Sequence, residues 1–147
     1  ARECDDHNNT YAFTNWAVSA VLTRHYETPG DDSWRQPLQA EALAQAAEAR
    51  RLNAQSPNFW SAVGEPDCEL VHLLIDLISG TPTMSAEAVE DACARITALY
   101  REAGRRGASP RAFSSVLEHL DFLVEHCAAI DAGDAGTAIA NIRNALS

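Results

Sequence analysis

This chain of 147 residues contains no lysine, so its eleven basic side chains are all arginine. They are outnumbered by 21 Asp and Glu residues, which gives a formal net charge of -10 at pH 7. Phosphate backbones and anionic lipid headgroups repel a surface of this charge. We therefore predict that the chain binds neither nucleic acid nor membranes.

Long apolar runs are also lacking. No stretch approaches the roughly 20 apolar residues that span a bilayer, and no apolar signal segment opens the chain. Hydrophobic residues make up 46% of the chain, which is enough for a globular core. The length predicts a single domain over residues 1–147. The first residue is Ala1 rather than Met, as in an excerpt of a longer chain or a processed product.

The four cysteines form no CxxC pair, which argues against a zinc knuckle or a thioredoxin-type site. Cys68, Cys93 and Cys127 lie in apolar helical stretches, where a free cysteine behaves as a small hydrophobe. We therefore predict reduced thiols, Cys4 included, and a cytoplasmic protein. Two disulfides would instead indicate a secreted or periplasmic protein.

Motifs for catalysis and cofactor binding are scarce. Cys4 and His7 form a close Cys–His pair, but at a terminus where precise geometry is hard to hold. No glycine-rich phosphate loop occurs. Glu69 and His72 have the spacing found in di-iron carboxylate bundles, but a second Glu-x-x-His and two further inward Glu are missing. We predict no catalytic residue, no metal and no cofactor.

Helix punctuation predicts an all-α domain. Ser56-Pro57 and Ser109-Pro110 each place a capping hydroxyl before a proline suited to a first helical turn. Gly80 and Gly133 follow apolar runs as C-terminal caps do, and Asp134 can cap the next helix. No window alternates with period two for long enough to be a strand. The predicted helices are 8–26, 38–54, 57–79 with a break or kink at Pro66, 85–104, 110–131 and 134–146.

These six helices pair as three antiparallel hairpins, 8–54, 57–104 and 110–146, with a compact helical bundle as the alternative. We expect Ala138 and Ala145 at a close contact between the last two helices. Trp16 and Trp60 fall in apolar helical runs and are predicted to be core residues, whereas Trp34 is predicted to pack down a polar loop.

The last hairpin resembles a tetratricopeptide (TPR) repeat over residues 122–147. A Gly-Asp turn at Gly133 is followed by a helix with small and large apolar residues in alternating slots. Phe122 fits the aromatic slot early in the first helix of the unit. The slots of the second helix are occupied by Ala138, Ile142 and Ala145.

Three positions depart from the TPR pattern, namely Glu125, His126 and Ala129, and the earlier hairpins exceed the usual period of about 34 residues. The resemblance implies a right-handed stack of divergent TPR-like units. Such stacks bind another protein, or another domain of the same chain, in a helix-lined groove.

Charged side chains recur along the fifth predicted helix. His119 and His126 share one face, and Glu118 and Glu125 share the adjacent face. We predict that these four residues, with Glu69, bind a cationic or Arg-rich segment of a protein partner, because clustered carboxylates steer a basic ligand inward. A solvated polar margin beside the core is the alternative.

The sequence thus predicts a non-enzymatic interaction module, a TPR-like scaffold or adaptor of the kind found in bacterial signalling or defence proteins. Two alternatives stay open. One is a secreted or periplasmic helical inhibitor or immunity protein stapled by disulfides. The other is a helical enzyme or metal protein.

Overall fold

The computed structural model describes residues 9–28, 30–78, 83–130 and 132–147, with side chains from residue 13 onward. Over these residues the fold is all-α, as predicted, with six helices and no strand. Cys4, His7 and Gly80 lie outside the described residues. The helices are α1 (Asn9–Glu27), α2 (Arg35–Gln55), α3 (Phe59–Ile78), α4 (Ala86–Arg105), α5 (Pro110–Ala129) and α6 (Gly133–Leu146).

Helix α3 lies at the centre of the packing. It contacts α1, α2, α4 and α6, and its most extensive contact is with α2. The contact between α1 and α2, which the sequence paired as a hairpin, is smaller. Helix α5 packs mainly on α6, and α6 also packs on α4. On α3, Leu70, Leu73, Leu74 and Ile75 are almost fully buried. Burial of each such side chain stabilises the folded state by about 1.5–3 kcal/mol.

Of the predicted break or kink at Pro66, the break is wrong, because α3 runs without interruption from Phe59 to Ile78. A proline inside a helix removes one backbone hydrogen bond and crowds the preceding turn. Pro66 and the residues around it, Glu65 and Cys68 among them, are buried between neighbouring helices. Tertiary packing therefore outweighs the local cost of the proline.

One of the two predicted Ser-Pro helix starts is confirmed. Ser109 Oγ accepts a hydrogen bond from the Ala112 N–H at 3.1 Å, and Pro110 occupies the first helical position. A cap of this type stabilises a helix by about 1 kcal/mol. The same capping hydrogen bond, without a proline, occurs at Ser85, whose side chain accepts from the Ala88 N–H at the start of α4.

The other Ser-Pro start is wrong, since Ser56 ends α2 and α3 begins three residues later. Asn58 caps α3 instead. Its Oδ1 accepts from the Ser61 N–H at 3.0 Å, while Ser61 Oγ accepts from the Asn58 N–H at 3.0 Å. This reciprocal pair satisfies two backbone donors at once, as a capping box does. Asn58 therefore caps α3 in place of Ser56.

The turn between α5 and α6 also differs from the sequence prediction. Gly133 is the first residue of α6 rather than a cap of α5, and Asp134 lies inside the first turn rather than capping it. A carboxylate is still favourable there because of the helix dipole. Neither residue is needed to end α5, because the Ala132 N–H closes that end by donating to the Cys127 carbonyl at 2.7 Å.

The predicted seam of Ala138 and Ala145 is wrong for Ala145, which is exposed. Its carbonyl accepts a hydrogen bond from Arg101 of α4 at 2.6 Å. Ala138 is buried, and its carbonyl lies 3.9 Å from Cys93 Sγ, also on α4. A closer approach of α5 and α6 occurs at Gly136, where an added Cβ would lie 3.5 Å from the Cys127 Cβ.

The tryptophans divide between core and surface. Trp34 is 9% exposed and packs its loop down as predicted, but Trp16 is 39% and Trp60 63% exposed, so their prediction as core residues is wrong. The helical period explains both errors. Phe13 and Ala17 point inward on α1 and leave Trp16 at the edge, just as buried Phe59 leaves Trp60 outside.

Replacing Gly136 by alanine should raise the free energy of unfolding by about 0.5–1 kcal/mol, because alanine loses less backbone entropy in a helix. The added Cβ meets Cys127 at an ordinary contact distance. Gly104→Ala is the matched control, since its Cβ would lie 3.2 Å from the Phe113 ring and the gain should be cancelled. Urea denaturation measures both variants. Equal gains would contradict the described contacts.

Candidate functional site

A cavity of about 820 Å³ lies among α1, α2, α3 and α5. Leu52, Val63 and Val116 supply apolar parts of its wall, and Trp60, which is 63% exposed, marks its open side. A pocket of this size, with an apolar base and several polar groups, is suited to binding a ligand. The amides and hydroxyls of its wall include Thr14, Asn15, Gln55, Asn58, Ser61 and Ser115.

The α2–α3 turn fixes one side of this cavity. Besides its part in the cap of α3, Ser61 Oγ lies 3.0 Å from Asn53 Oδ1 and 2.9 Å from the Ser56 carbonyl. Asn58 Nδ2 donates to the same carbonyl at 3.3 Å. These bonds hold the polar groups of the turn in one arrangement, so this wall is preorganised rather than assembled on binding.

Asp67 of α3 is the one carboxylate in the described wall of the cavity. Its Oδ1 accepts a hydrogen bond from the hydroxyl of Tyr100 of α4, a residue that is 1% exposed. Burial raises the pKa of Asp67 to about 7, although the bond from Tyr100 favours the ionised form. Burial also raises the pKa of Tyr100 well above its usual value, so the phenol stays a neutral donor.

His119 of α5 faces Asp67's cavity from the other side. Burial lowers the pKa of His119, so its imidazole is neutral at pH 7. Among the described lining residues there is no arginine. The cavity therefore combines one carboxyl group that titrates near neutrality with a neutral imidazole and uncharged amides, an arrangement that favours a cation over an anion.

Two other carboxylates of α3 are neutralised by arginine. Glu65 Oε1 lies 2.7 Å from Arg50 of α2 and 3.2 Å from Arg95 of α4. Both carboxylate oxygens of Glu69 lie 2.9 Å from Arg95 Nε. Glu69, predicted to contact a partner, is thus already engaged between α3 and α4.

Asp76 satisfies its charge with backbone and hydroxyl donors. It accepts from Thr83 Oγ1 at 2.6 Å and from the N–H groups of Thr83 and Met84 at 3.1 and 3.2 Å. Burial opposes its ionisation, but these bonds and the nearby His72 together lower the pKa of Asp76. This side chain therefore anchors the segment that precedes α4.

The predicted stripe on α5 divides into an inward and an outward part. His119 lines the cavity, whereas Glu118, Glu125 and His126 are exposed. The His126 ring lies against Phe122, with 3.9 Å between the ring centroids. In the described part of the chain, no hydrogen bond or ion pair joins Glu69 to these four residues.

Sequence reasoning selected His119 but missed Asp67 and Tyr100. These two residues are 33 positions apart, so no local pattern links them. The available signal was Asp67 itself, a carboxylate followed by the apolar run of α3. An acidic residue beside such a run indicates a buried or functional carboxyl group.

Among the described residues, thiols and metal-binding groups give no second site. Cys68, Cys93 and Cys127 are free thiols in the structure, and burial raises the pKa of Cys127 to about 11. The described side chains bring together no group of three or more His, Cys, Asp or Glu residues in a metal-binding arrangement. Over the same residues, no helix is both long and apolar enough to cross a membrane.

No protein-family model, no curated protein and no solved structure matches this chain. The TPR resemblance of residues 122–147 therefore stays a prediction. In the structure Phe122 is exposed, Ile142 is buried, and Ala138 and Ala145 are placed as described above. The cavity around Asp67 and His119 is consequently argued from its own geometry.

Replacing Asp67 by asparagine should make stability less dependent on pH. Folding raises the pKa of this carboxyl from 3.8 to about 7, so the folded protein holds more protons than the unfolded chain between these values. This contribution stabilises the wild type in acid, falls as pH rises through that range, and then levels off. The variant lacks it.

We expect the difference in free energy of unfolding, variant minus wild type, to be roughly 2–4 kcal/mol larger at about pH 8 than at about pH 4. Chemical denaturation at both values measures it. Asp91→Asn, which alters an exposed carboxylate of α4, is the control and should give a nearly constant difference. A constant difference for Asp67→Asn would contradict the burial of its carboxyl.

Proposed function

We propose that this protein is a non-enzymatic interaction module that binds a cationic segment of a protein partner in the cavity among α1, α2, α3 and α5. The observation that carries the proposal is the cavity itself. It has about 820 Å³ of space, a carboxyl group in its wall and no arginine among the described lining residues.

Charge supports a basic partner. The chain has a net charge of -10, and a cleft with low-dielectric walls focuses such a potential toward its opening. Glu118 and Glu125 are exposed on α5, the helix that also supplies His119 to the cavity. They extend the negative surface beyond the cavity and, with His126, form the proposed rim. Glu69 contributes less, because Arg95 holds it.

The chemistry of the wall suits a peptide. Asn15, Asn58 and Gln55 offer amide donors and acceptors that match a peptide backbone. Trp60 is exposed at the same wall and gives an aromatic surface for the aliphatic or cationic part of a side chain. Exposed tryptophan is enriched among the residues that dominate binding energy at protein interfaces.

A TPR-like scaffold or adaptor is the corresponding role, with the partner either a separate protein or another domain of the same chain. In the described wall, the side chains that could act as a nucleophile and a base are not aligned for catalysis. Ser115 Oγ, for example, donates to the Ala112 carbonyl at 2.6 Å instead of to His119. The proposal therefore assigns binding, and no turnover, to the cavity.

Peptide selection tests this function. Phage-displayed random dodecapeptides would be selected on the wild-type protein, and the enriched peptides measured by fluorescence anisotropy. Ser115→Trp fills the cavity from α5, and its affinity for these peptides should fall by about tenfold or more. Ser114→Trp is the matched control, because Ser114 is exposed on the same helix outside the described cavity lining, and it should bind as the wild type does.

The enriched peptides should carry more Arg and Lys than the starting library, and their binding should weaken with added salt. Failure to enrich any peptide would overturn the proposed function. Equal binding by the Ser115→Trp and Ser114→Trp variants would show that the peptides bind elsewhere, and the cavity would lose its assigned role.

A further inference from the structure

The geometry points to Asp67 as the counter-ion for a single guanidinium or ammonium group that enters the cavity. This inference rests on the proposed function and names the group that the cavity recognises. The cationic group belongs either to a side chain of a peptide partner or to a free small molecule, and the two sources share the same chemistry at Asp67.

Unlike the other carboxylates of α3, Asp67 has neither an arginine partner nor a backbone N–H donor among the described residues. Glu65 and Glu69 have arginine partners, and Asp76 has backbone N–H donors. Among the described residues, the hydrogen-bond partner of Asp67 is the neutral hydroxyl of Tyr100. An ionised carboxylate offers about four acceptor positions, so most of its capacity is unused.

The direction of approach follows from the packing. Tyr100 blocks access to Asp67 from the direction of α4, because Tyr100 is 1% exposed and its hydroxyl is hydrogen-bonded to Asp67. The cavity lies on the other side, since Asp67 forms part of its wall. A cation reaches the free acceptor positions only through this space, with Trp60 beside the opening to favour it by cation–π attraction.

Binding of a cation displaces a proton. Burial raises the pKa of Asp67 to about 7, so at neutral pH the empty cavity holds a mixture of the acid and the carboxylate. A bound guanidinium or ammonium group stabilises the carboxylate. The carboxylic acid therefore loses its proton to solvent as the cation binds. Tyr100 keeps its own proton, because burial raises its pKa further from neutrality.

Among the described lining residues, His119 is the other group that can change charge. Helices α1 and α2 contribute only uncharged lining residues among those described. From α5, His119 has a lowered pKa, and its protonation in acid would repel a cation and thus act in the same direction as protonation of Asp67. On α3 itself, burial raises the pKa of Cys68, which keeps the thiol neutral.

Charged groups of the remaining neighbours are already paired or exposed. On α3, Glu65 pairs with Arg50 of α2, and Glu69 pairs with Arg95 of α4. Helix α6 also contacts α3, and its two charged residues are Arg143, which pairs with Asp121 at 2.8 Å, and Asp134, which is exposed. Cation binding therefore strengthens as pH rises through the titration of Asp67, and deprotonation of His119 acts in the same direction.

The probe is N-acetyl-arginine amide, and its neutral isostere N-acetyl-citrulline amide is the control ligand. Isothermal titration calorimetry in two buffers of different ionisation enthalpy measures affinity and proton release together. With a pKa near 7, about nine-tenths of the carboxyl is protonated at pH 6 and about one-tenth at pH 8. We expect affinity for the arginine ligand to rise about tenfold over this range, with most of one proton released per ligand at pH 6.

Two variants assign the effect to Asp67. Asp67→Asn can still accept from Tyr100 but cannot ionise, so it should bind the arginine and citrulline ligands equally and release no proton. Tyr100→Phe removes a donor to the ionised form, and the rise in affinity should move to higher pH. Asp91→Asn, an exposed carboxylate on α4, should behave as the wild type.

The outcomes separate this inference from the proposed function. Selected peptides that bind equally well after citrulline replaces each arginine, with no proton release, would leave the function standing and overturn the role of Asp67. An arginine ligand that binds with proton release while no peptide is ever selected would support Asp67 and identify a free small cation as the occupant. If the arginine ligand binds no better than citrulline and no peptide is selected, both proposals fail.

Discussion

Helix α3 has to bury most of its surface while carrying four carboxylates, and the packing of the neighbouring helices depends on how each is accommodated. An isolated ionised carboxylate is very costly to bury, so each one needs a cation, a set of hydrogen-bond donors or a proton. All three solutions occur on this one helix. The residues concerned are Glu65, Asp67, Glu69 and Asp76.

The first two solutions link α3 to neighbouring segments. Arg50 and Arg95 bring α2 and α4 to Glu65, and Arg95 also binds Glu69. Asp76 draws in the backbone of the segment before α4. Asp67 uses the third solution: a buried phenol donates one hydrogen bond, and partial protonation removes much of the remaining charge. Asp67, whose charge is least completely compensated, is the carboxylate that faces the cavity.

Local signals in the sequence predicted the all-α fold and its six helices, because caps and the helical period act within a few residues. They failed where tertiary contacts decide. The serine before Pro57 resembled a cap as closely as Ser109 did, but the reciprocal bond of Asn58 and Ser61 prevailed. The Asp67–Tyr100 pair joins two helices across 33 positions, so its geometry had no counterpart in the sequence.

Helix α5 packs mainly on α6, yet it forms one wall of the cavity opposite α3. Local opening of a protein costs least where the fewest buried contacts break. We therefore expect outward displacement of α5 to cost less than displacement of the central helix, and the backbone amides of α5 to exchange their hydrogens with solvent sooner. An occupant that bridges α5 and α3 supplies contacts that the fold leaves out. We therefore expect occupancy of the cavity to slow that exchange.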